Sequence, residues 1–219
     1  MRPSLLLILM ALASACGGRQ AVTGQQAGGP TAGPESVRWT LDRDSVGGPP
    51  AGATVFSGTW SVRAEPEAPS PPNVLCQTGT ATFPALQLGD QVFSDVELST
   101  RFKPVSGQTD QAAGLIFRIQ DKDNYYIVRA NALENNLNIY KYENGNRRVI
   151  KEGNAPVASG QWQELRVEAV SHGFRAYLNG ELVAEAADAT YAAGPVGLWT
   201  KADSVTCFDD VEARPLNAG

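Results

Sequence analysis

Histidine occurs once, methionine twice and cysteine three times in 219 residues, and charged side chains make up only 19% of the chain. A single imidazole excludes a multi-histidine metal centre and leaves one ring, His172, for any Ser/His/Asp arrangement. His172 stands in a Ser-His-Gly turn, a poor position for a catalytic base, and reads as a turn residue. The apolar run Leu5 to Leu12 is far shorter than the ~20 residues that span a bilayer, so it predicts no mature transmembrane helix. Positive charge is also scarce. The formal charge of -5 becomes -6 if Arg2 is removed with a leader, and no basic cluster is present to bind nucleic acid by counterion release. With 42% hydrophobic residues, 22 glycines and 14 prolines, the composition excludes disorder throughout and describes a turn-rich globular chain with few long helices.

The N-terminus reads as an export signal: Arg2, the apolar run, then Ala13, Ser14 and Ala15 before Cys16. The segment Leu12-Ala-Ser-Ala-Cys16 resembles the lipobox of bacterial lipoproteins, with Ala13 where leucine is commoner. That resemblance implies lipidation of Cys16, and Gly17 resembles an outer-membrane sorting signal. A plain secretory signal cut after Ala15 is the alternative. Gly17 to Glu35 is rich in Gly, Gln, Ala, Thr and Pro and has little to bury, so it predicts a flexible tether. The expected organisation is a signal peptide over 1–15, a lipid-anchored tether over 16–36, one domain over 37–214 and a tail over 215–219. The envelope, with the lipid as the sole membrane contact and the domain facing periplasm or exterior, is the expected location.

From Val37 onward the hydrophobic period is two. Val96, Leu98 and Phe102 alternate with Glu97, Ser99 and Arg101, and Leu165 and Val167 alternate with Glu164, Arg166 and Glu168. Asp123-Asn124, Asn144-Gly145, His172-Gly173 and Asn179-Gly180 supply residues that tolerate positive φ between these runs. About a dozen antiparallel strands at this length suit a two-sheet sandwich better than a small barrel. Helical pattern is confined to single turns at Ala132 to Asn136 and Asp188 to Ala192. Between Val37 and Phe83 the prolines of 49–50 and 66–72 mark surface loops.

Several runs carry a family likeness: Gly58-Thr-Trp-Ser-Val62, Gly114-Leu-Ile-Phe-Arg118, Asn124-Tyr-Tyr-Ile-Val-Arg-Ala-Asn131, Trp162-Gln-Glu-Leu-Arg166, Tyr177-Leu-Asn-Gly180 and Gly197-Leu-Trp-Thr-Lys-Ala-Asp203. Together they resemble the concanavalin A-like jelly-roll domains grouped with LamG modules and the 3-keto-disaccharide hydrolase family. The resemblance implies an all-β, two-sheet antiparallel jelly-roll sandwich with a concave sheet that often carries a sugar site. Such sandwiches host lectins, glycosidases and inert spacers alike, so function must come from a site.

Alternation assigns faces. With Leu115, Phe117 and Ile119 inward, Ile116, Arg118 and Gln120 turn outward; Tyr125, Arg129 and Asn131 oppose Tyr126, Val128 and Ala130; Asn138, Tyr140 and Tyr142 oppose Leu137 and Ile139; Trp199 and Lys201 oppose Leu198 and Thr200. The expected ligand set is Arg118, Tyr125, Arg129, Asn131, Asn138, Tyr140, Trp199 and Lys201. Aromatic faces suit pyranose C–H surfaces, and cationic and amide groups direct hydrogen bonds to hydroxyls, so the expected partner is an oligosaccharide or polysaccharide. The competing reading is a solvated sheet face with cation–aromatic contacts.

Carboxylates offer no clear catalytic pair. Glu164 and Glu168 flank Arg166 on one strand face, which suits a salt-bridged surface. Asp42 and Asp44 near the start and Asp209 and Asp210 near the end are candidates for a shared structural calcium if the terminal strands are neighbours; turn hydrogen bonding is the alternative. On simple alternation Asp210 shares the face of Phe208 and Asp209 does not. Cys76 and Cys207 remain after Cys16 and predict a disulfide, against two separate buried thiols. Three functions stay open: a non-enzymatic glycan-binding or surface-ligand module, a hydrolase of glycosides or 3-keto-disaccharides, and a structural envelope lipoprotein that binds a protein.

Overall fold

The computed structural model describes residues 35–216. The signal segment, Cys16 and its lipid, and most of the tether lie outside the described residues. In chain order the strands are β1 (Val37–Trp39), β2 (Ala53–Ser57), β3 (Trp60–Ala64), β4 (Asn73–Gln77) and β5 (Ala85–Leu88). There follow β6 (Val96–Ser106), β7 (Ala112–Asp121), β8 (Asn124–Asn131), β9 (Asn136–Glu143) and β10 (Asn146–Lys151). The last five are β11 (Gln163–Val170), β12 (Gly173–Leu178), β13 (Glu181–Ala187), β14 (Gly197–Trp199) and β15 (Val205–Pro215).

Two antiparallel sheets form a jelly-roll sandwich. The first runs β13-β12-β11-β6-β15-β4-β3, with β1 paired to β15 further along; the second runs β10-β9-β8-β7-β14-β5-β2. The two single-turn helices are not made. Ala132 to Asn135 is a turn ending on Asn135 at φ 50°, and 188–192 is irregular with a bend at Thr190, because Asp188 accepts from the Thr190 N–H and the Tyr191 N–H donates to the Tyr126 hydroxyl. At Asn144-Gly145 and Asn179-Gly180 both residues take positive φ, as tight two-residue hairpins require.

Between the sheets, Leu98, Phe102, Leu165, Val167, Phe174 and Phe208 of the first pack against Leu115, Phe117, Tyr126, Val128, Ile139 and Leu198 of the second. Each such side chain contributes about 1.5–3 kcal/mol by leaving water. On β6 and β11 the other face is solvated, and the burial alternates cleanly. There Arg166 is clamped between Glu97 and Glu168 and lies over the ring of Tyr177, the salt-bridged surface its spacing predicts. The second sheet differs: β7 and β8 are buried on both faces along most of their length. Its outer face carries a second apolar cluster of Ile116, Tyr125, Ile127, Tyr140 and Trp199.

Two bulges break the period and move candidate residues. On β7 the register shifts after Phe117, and Arg118 takes φ 51°. Ile119 therefore joins the outer cluster, and Arg118 turns away from it. Its Nε and Nη2 donate to the Ser94 carbonyl, its Nη1 donates to the Tyr191 carbonyl, and its head lies 5.5 Å from the Phe174 ring. Arg118 is thus a buried tie at one end of the sandwich, not a member of the ligand face. On β15 the shift falls between Asp209 and Glu212, with Asp210 at φ 47°. The bulge releases Asp210 from the face of Phe208 and sets it against Arg38, 2.7 Å away.

Cys76 and Cys207 face each other in the β4–β15 ladder and are disulfide-bonded across 131 residues of chain. Replacing both by Ala should lower unfolding free energy by roughly 2–4 kcal/mol without changing the fold. An unchanged denaturant midpoint would show that the bridge carries no stability.

Asp209 is buried on β15 itself, and burial raises its carboxyl from 3.8 to about 6, with Asp210 and Asp42 adding repulsion. The folded chain therefore binds more protons than the unfolded chain between those values. Stability should fall as pH rises from about 4 to about 6, by on the order of 2 kcal/mol. Melting temperatures across that window should decline in the native protein and stay flatter in Asp209→Asn; an equal decline in both would assign the slope to another group. Asp188 and Asp203, both held near 2, act in the opposite sense and only at lower pH.

Candidate functional site

Two glycines let the outer face of the second sheet form. Gly114 on β7 stands opposite Trp199 on β14, and a Cβ there would lie 3.2 Å from both Cβ and Cε3 of the tryptophan. Without it the indole settles against the strand. A Cβ on Gly197 would come within 2.1 Å of the Leu86 carbonyl, so only glycine lets β5 close against β14. The chain entering β5 then lays Phe83 on Trp199, with ring centroids 5.5 Å apart and planes 26° apart. Phe83 also meets Tyr142 edge-on at 5.6 Å, and Tyr142 meets Tyr125 at 4.9 Å. Trp199, read from sequence as facing a sugar directly, does project from this face, but it is 0% exposed because Phe83 and Arg147 cover it. Beside this aromatic strip a cleft of ≈ 640 Å³ is lined by Phe56, Phe83, Lys122, Asp123, Tyr125 and Tyr142, among others.

The polar end of the face is built from bracketed charges. Arg129, 1% exposed, donates through Nη2 to Glu134 and to the Asn136 amide oxygen, both at 2.6 Å. Glu134 is 42% exposed. Partial burial raises its carboxyl, but the Asn136 hydrogen bond and the Arg129 charge outweigh burial and hold it below the ordinary range. Lys201 Nζ lies 2.9 Å from buried Asp110, which also accepts from the Asn131 amide at 2.7 Å. Asp203 fixes that loop by accepting from the backbone N–H groups of Gln108, Thr109 and Asp110. Asn138 donates to the Tyr140 hydroxyl and accepts from the Gly153 N–H.

Arg147 enters from β10, opposite Tyr142 in register. Its guanidinium lies 4.5 Å from the Tyr140 ring, 4.9 Å from Phe83 and 5.6 Å from Trp199. Among the described residues it has no carboxylate partner, and its Nη1 is buried without an acceptor, as is Nε of Arg129. Such a donor costs about 1–3 kcal/mol if nothing fills it.

Seven of the eight residues expected from alternation share this face: Tyr125, Arg129, Asn131, Asn138, Tyr140, Trp199 and Lys201. Arg118 alone is elsewhere. Phe83, Glu134 and Arg147 were missed. Arg147 was within reach, because the Asn144-Gly145 hairpin pairs it with Tyr142 and so sets its side. Phe83 and Glu134 lie outside strands and carry no periodic signal.

Of the four aspartates considered for calcium, Asp42 and Asp210 lie near enough to Asp209 to repel its carboxylate. Asp44 accepts from the Ala51 N–H and Asp210 pairs with Arg38, while the two oxygens of Asp209 accept from Ser70 and Asp210 N–H groups. Among the described residues no three His, Cys, Asp or Glu form a group suited to a metal.

Comparison with known proteins supports the fold and its class. The levanase of Bacillus subtilis is 28% identical over 164 residues, 73% of this chain but only 22% of that enzyme. The solved carbohydrate binding module CBM66 from Bacillus subtilis is 25% identical with a TM-score of 0.63, over 74% of this chain and 94% of the module. A putative glycosyl hydrolase from Parabacteroides distasonis shares the fold at 15% identity and a TM-score of 0.52, over 75% of this chain and 94% of that one. Residues 60–214 match the model of 3-keto-alpha-glucoside-1,2-lyase-like domains, and the chain belongs to that family.

Proposed function

We propose that this jelly-roll module binds carbohydrate on the outer face of its second sheet without transforming it, and that it is displayed from the envelope by lipid on Cys16. One observation carries the reading: accessible aromatic edges, Phe83 and Tyr142, stand beside fixed hydrogen-bonding groups, of which Glu134 is held ionised. An aromatic surface with convergent polar groups suits a sugar. An ionised carboxyl accepts hydrogen bonds from hydroxyl groups but is a poor acid at neutral pH, whereas glycoside cleavage generally uses an acid with a raised value beside a second carboxyl. Asp209, whose carboxyl is raised, belongs to the first sheet. The likeness to a carbohydrate binding module adds support. The family description favours turnover of a keto-glucoside as the second reading.

The Cys76–Cys207 bridge supports an oxidising compartment. Cys16→Ser should move the protein from the membrane to the soluble fraction; retention at the membrane would remove the lipid from the account.

Calorimetric titration of an oligosaccharide panel should find a ligand whose affinity falls about tenfold in Phe83→Ala and in Tyr142→Ala, equivalent to ~1.4 kcal/mol each. Arg175→Ala, exposed on the first sheet, should bind normally. Release of new sugar ends from the bound ligand would replace this reading with the catalytic one, and unaltered affinity in both aromatic variants would remove the face.

A further inference from the structure

The charges on this face do not balance. Glu134 pairs with Arg129 and Asp110 with Lys201, which leaves Arg147 as a third cation with no carboxylate among the described residues. Three aromatic rings hold its guanidinium over the strip. Rings stabilise the charge but accept little from N–H donors in the guanidinium plane. Its Nη1 is buried and empty, and Nε of Arg129 supplies another unfilled donor on the same face.

We propose that the glycan bound here carries a carboxylate, as in a hexuronic acid unit, and that Arg147 receives it. This rests on the carbohydrate-binding reading above. The guanidinium fork matches a carboxylate in two parallel hydrogen bonds, which a neutral hydroxymethyl group cannot reproduce. Partial removal from water strengthens that pairing, and Glu134 and Asp110, which attract the cation through space, give it no hydrogen bond. Phe83 and Tyr142 remain available to the apolar side of the same sugar ring, so anion and ring recognition converge.

The test uses the protein with oligogalacturonate and oligomannuronate, each beside its carboxyl-reduced neutral counterpart, titrated at low and moderate salt. The expected result is that one acidic ligand binds about 10- to 100-fold more tightly than its neutral counterpart. Arg147→Met should bring that ratio close to one, and Arg147→Lys should keep part of it, since the charge remains without the fork. Melting temperature of each variant separates lost recognition from lost folding. A ratio unchanged in folded Arg147→Met overturns the role of Arg147. Equal affinity of the native protein for acidic and neutral partners overturns the carboxylate and leaves the carbohydrate reading standing. Binding of no sugar from either series or from the neutral panel overturns both.

Discussion

Burial on both faces of β7 and β8 is the constraint from which the site follows. One face packs against the first sheet, as in any sandwich. The other is covered by Phe83 and Arg147, so polar groups placed there leave water almost completely. A buried charge or amide must be paired. Hence Arg129 sits between Glu134 and Asn136, Asn138 between Tyr140 and Gly153, and Asp110 between Asn131 and Lys201. These pairs fix the side chains before any ligand arrives, which lowers the ordering cost of binding. Gly114 and Gly197 are where the backbone yields to this packing.

The same constraint explains what could be read from sequence. On β6, β11 and β12 one face is solvated, and simple alternation gives the sandwich and its sides. On β7 to β9 the outward positions were legible because Arg129, Asn131 and Asn138 interrupt apolar runs at even spacing. The reading failed where a strand took an extra residue. Arg118 and Asp210 both carry positive φ without being glycine, and nothing in their side chains announces a bulge. It failed also at Phe83 and Glu134, which reach the face from connecting segments and depend on which strands become neighbours. Pairing β14 between β7 and β5, far apart in the chain, is a property of the whole topology.

Membership of a family described by a lyase does not by itself assign a reaction to this face, since one sandwich serves catalysis and binding alike. The distinction lies in how carboxyls are held. Arg129 and Asn136 keep Glu134 charged across the physiological range, whereas the raised carboxyl of Asp209 is satisfied by two backbone N–H groups on the first sheet, where it serves the bulge. The carboxyl that burial raises thus lies in the first sheet, and the one held low lies at the outer face of the second.

Three arginines show how differently one side chain can be accommodated. Arg118 gives its donors to two backbone carbonyls, with Asp95 at 3.7 Å, away from the outer face of the second sheet. Arg129 is compensated by a carboxylate that remains partly accessible. Arg147 lies on aromatic faces alone among the described residues. Burial pulls its pKa down and neighbouring Arg129 adds repulsion, partly offset by Tyr140, Asp110 and Glu134, and a guanidinium stays charged at any ordinary pH. Its Nη1, like Nε of Arg129 and Nε1 of Trp199, finds no acceptor among the described residues, so the face keeps donors that a ligand with acceptor groups would complete.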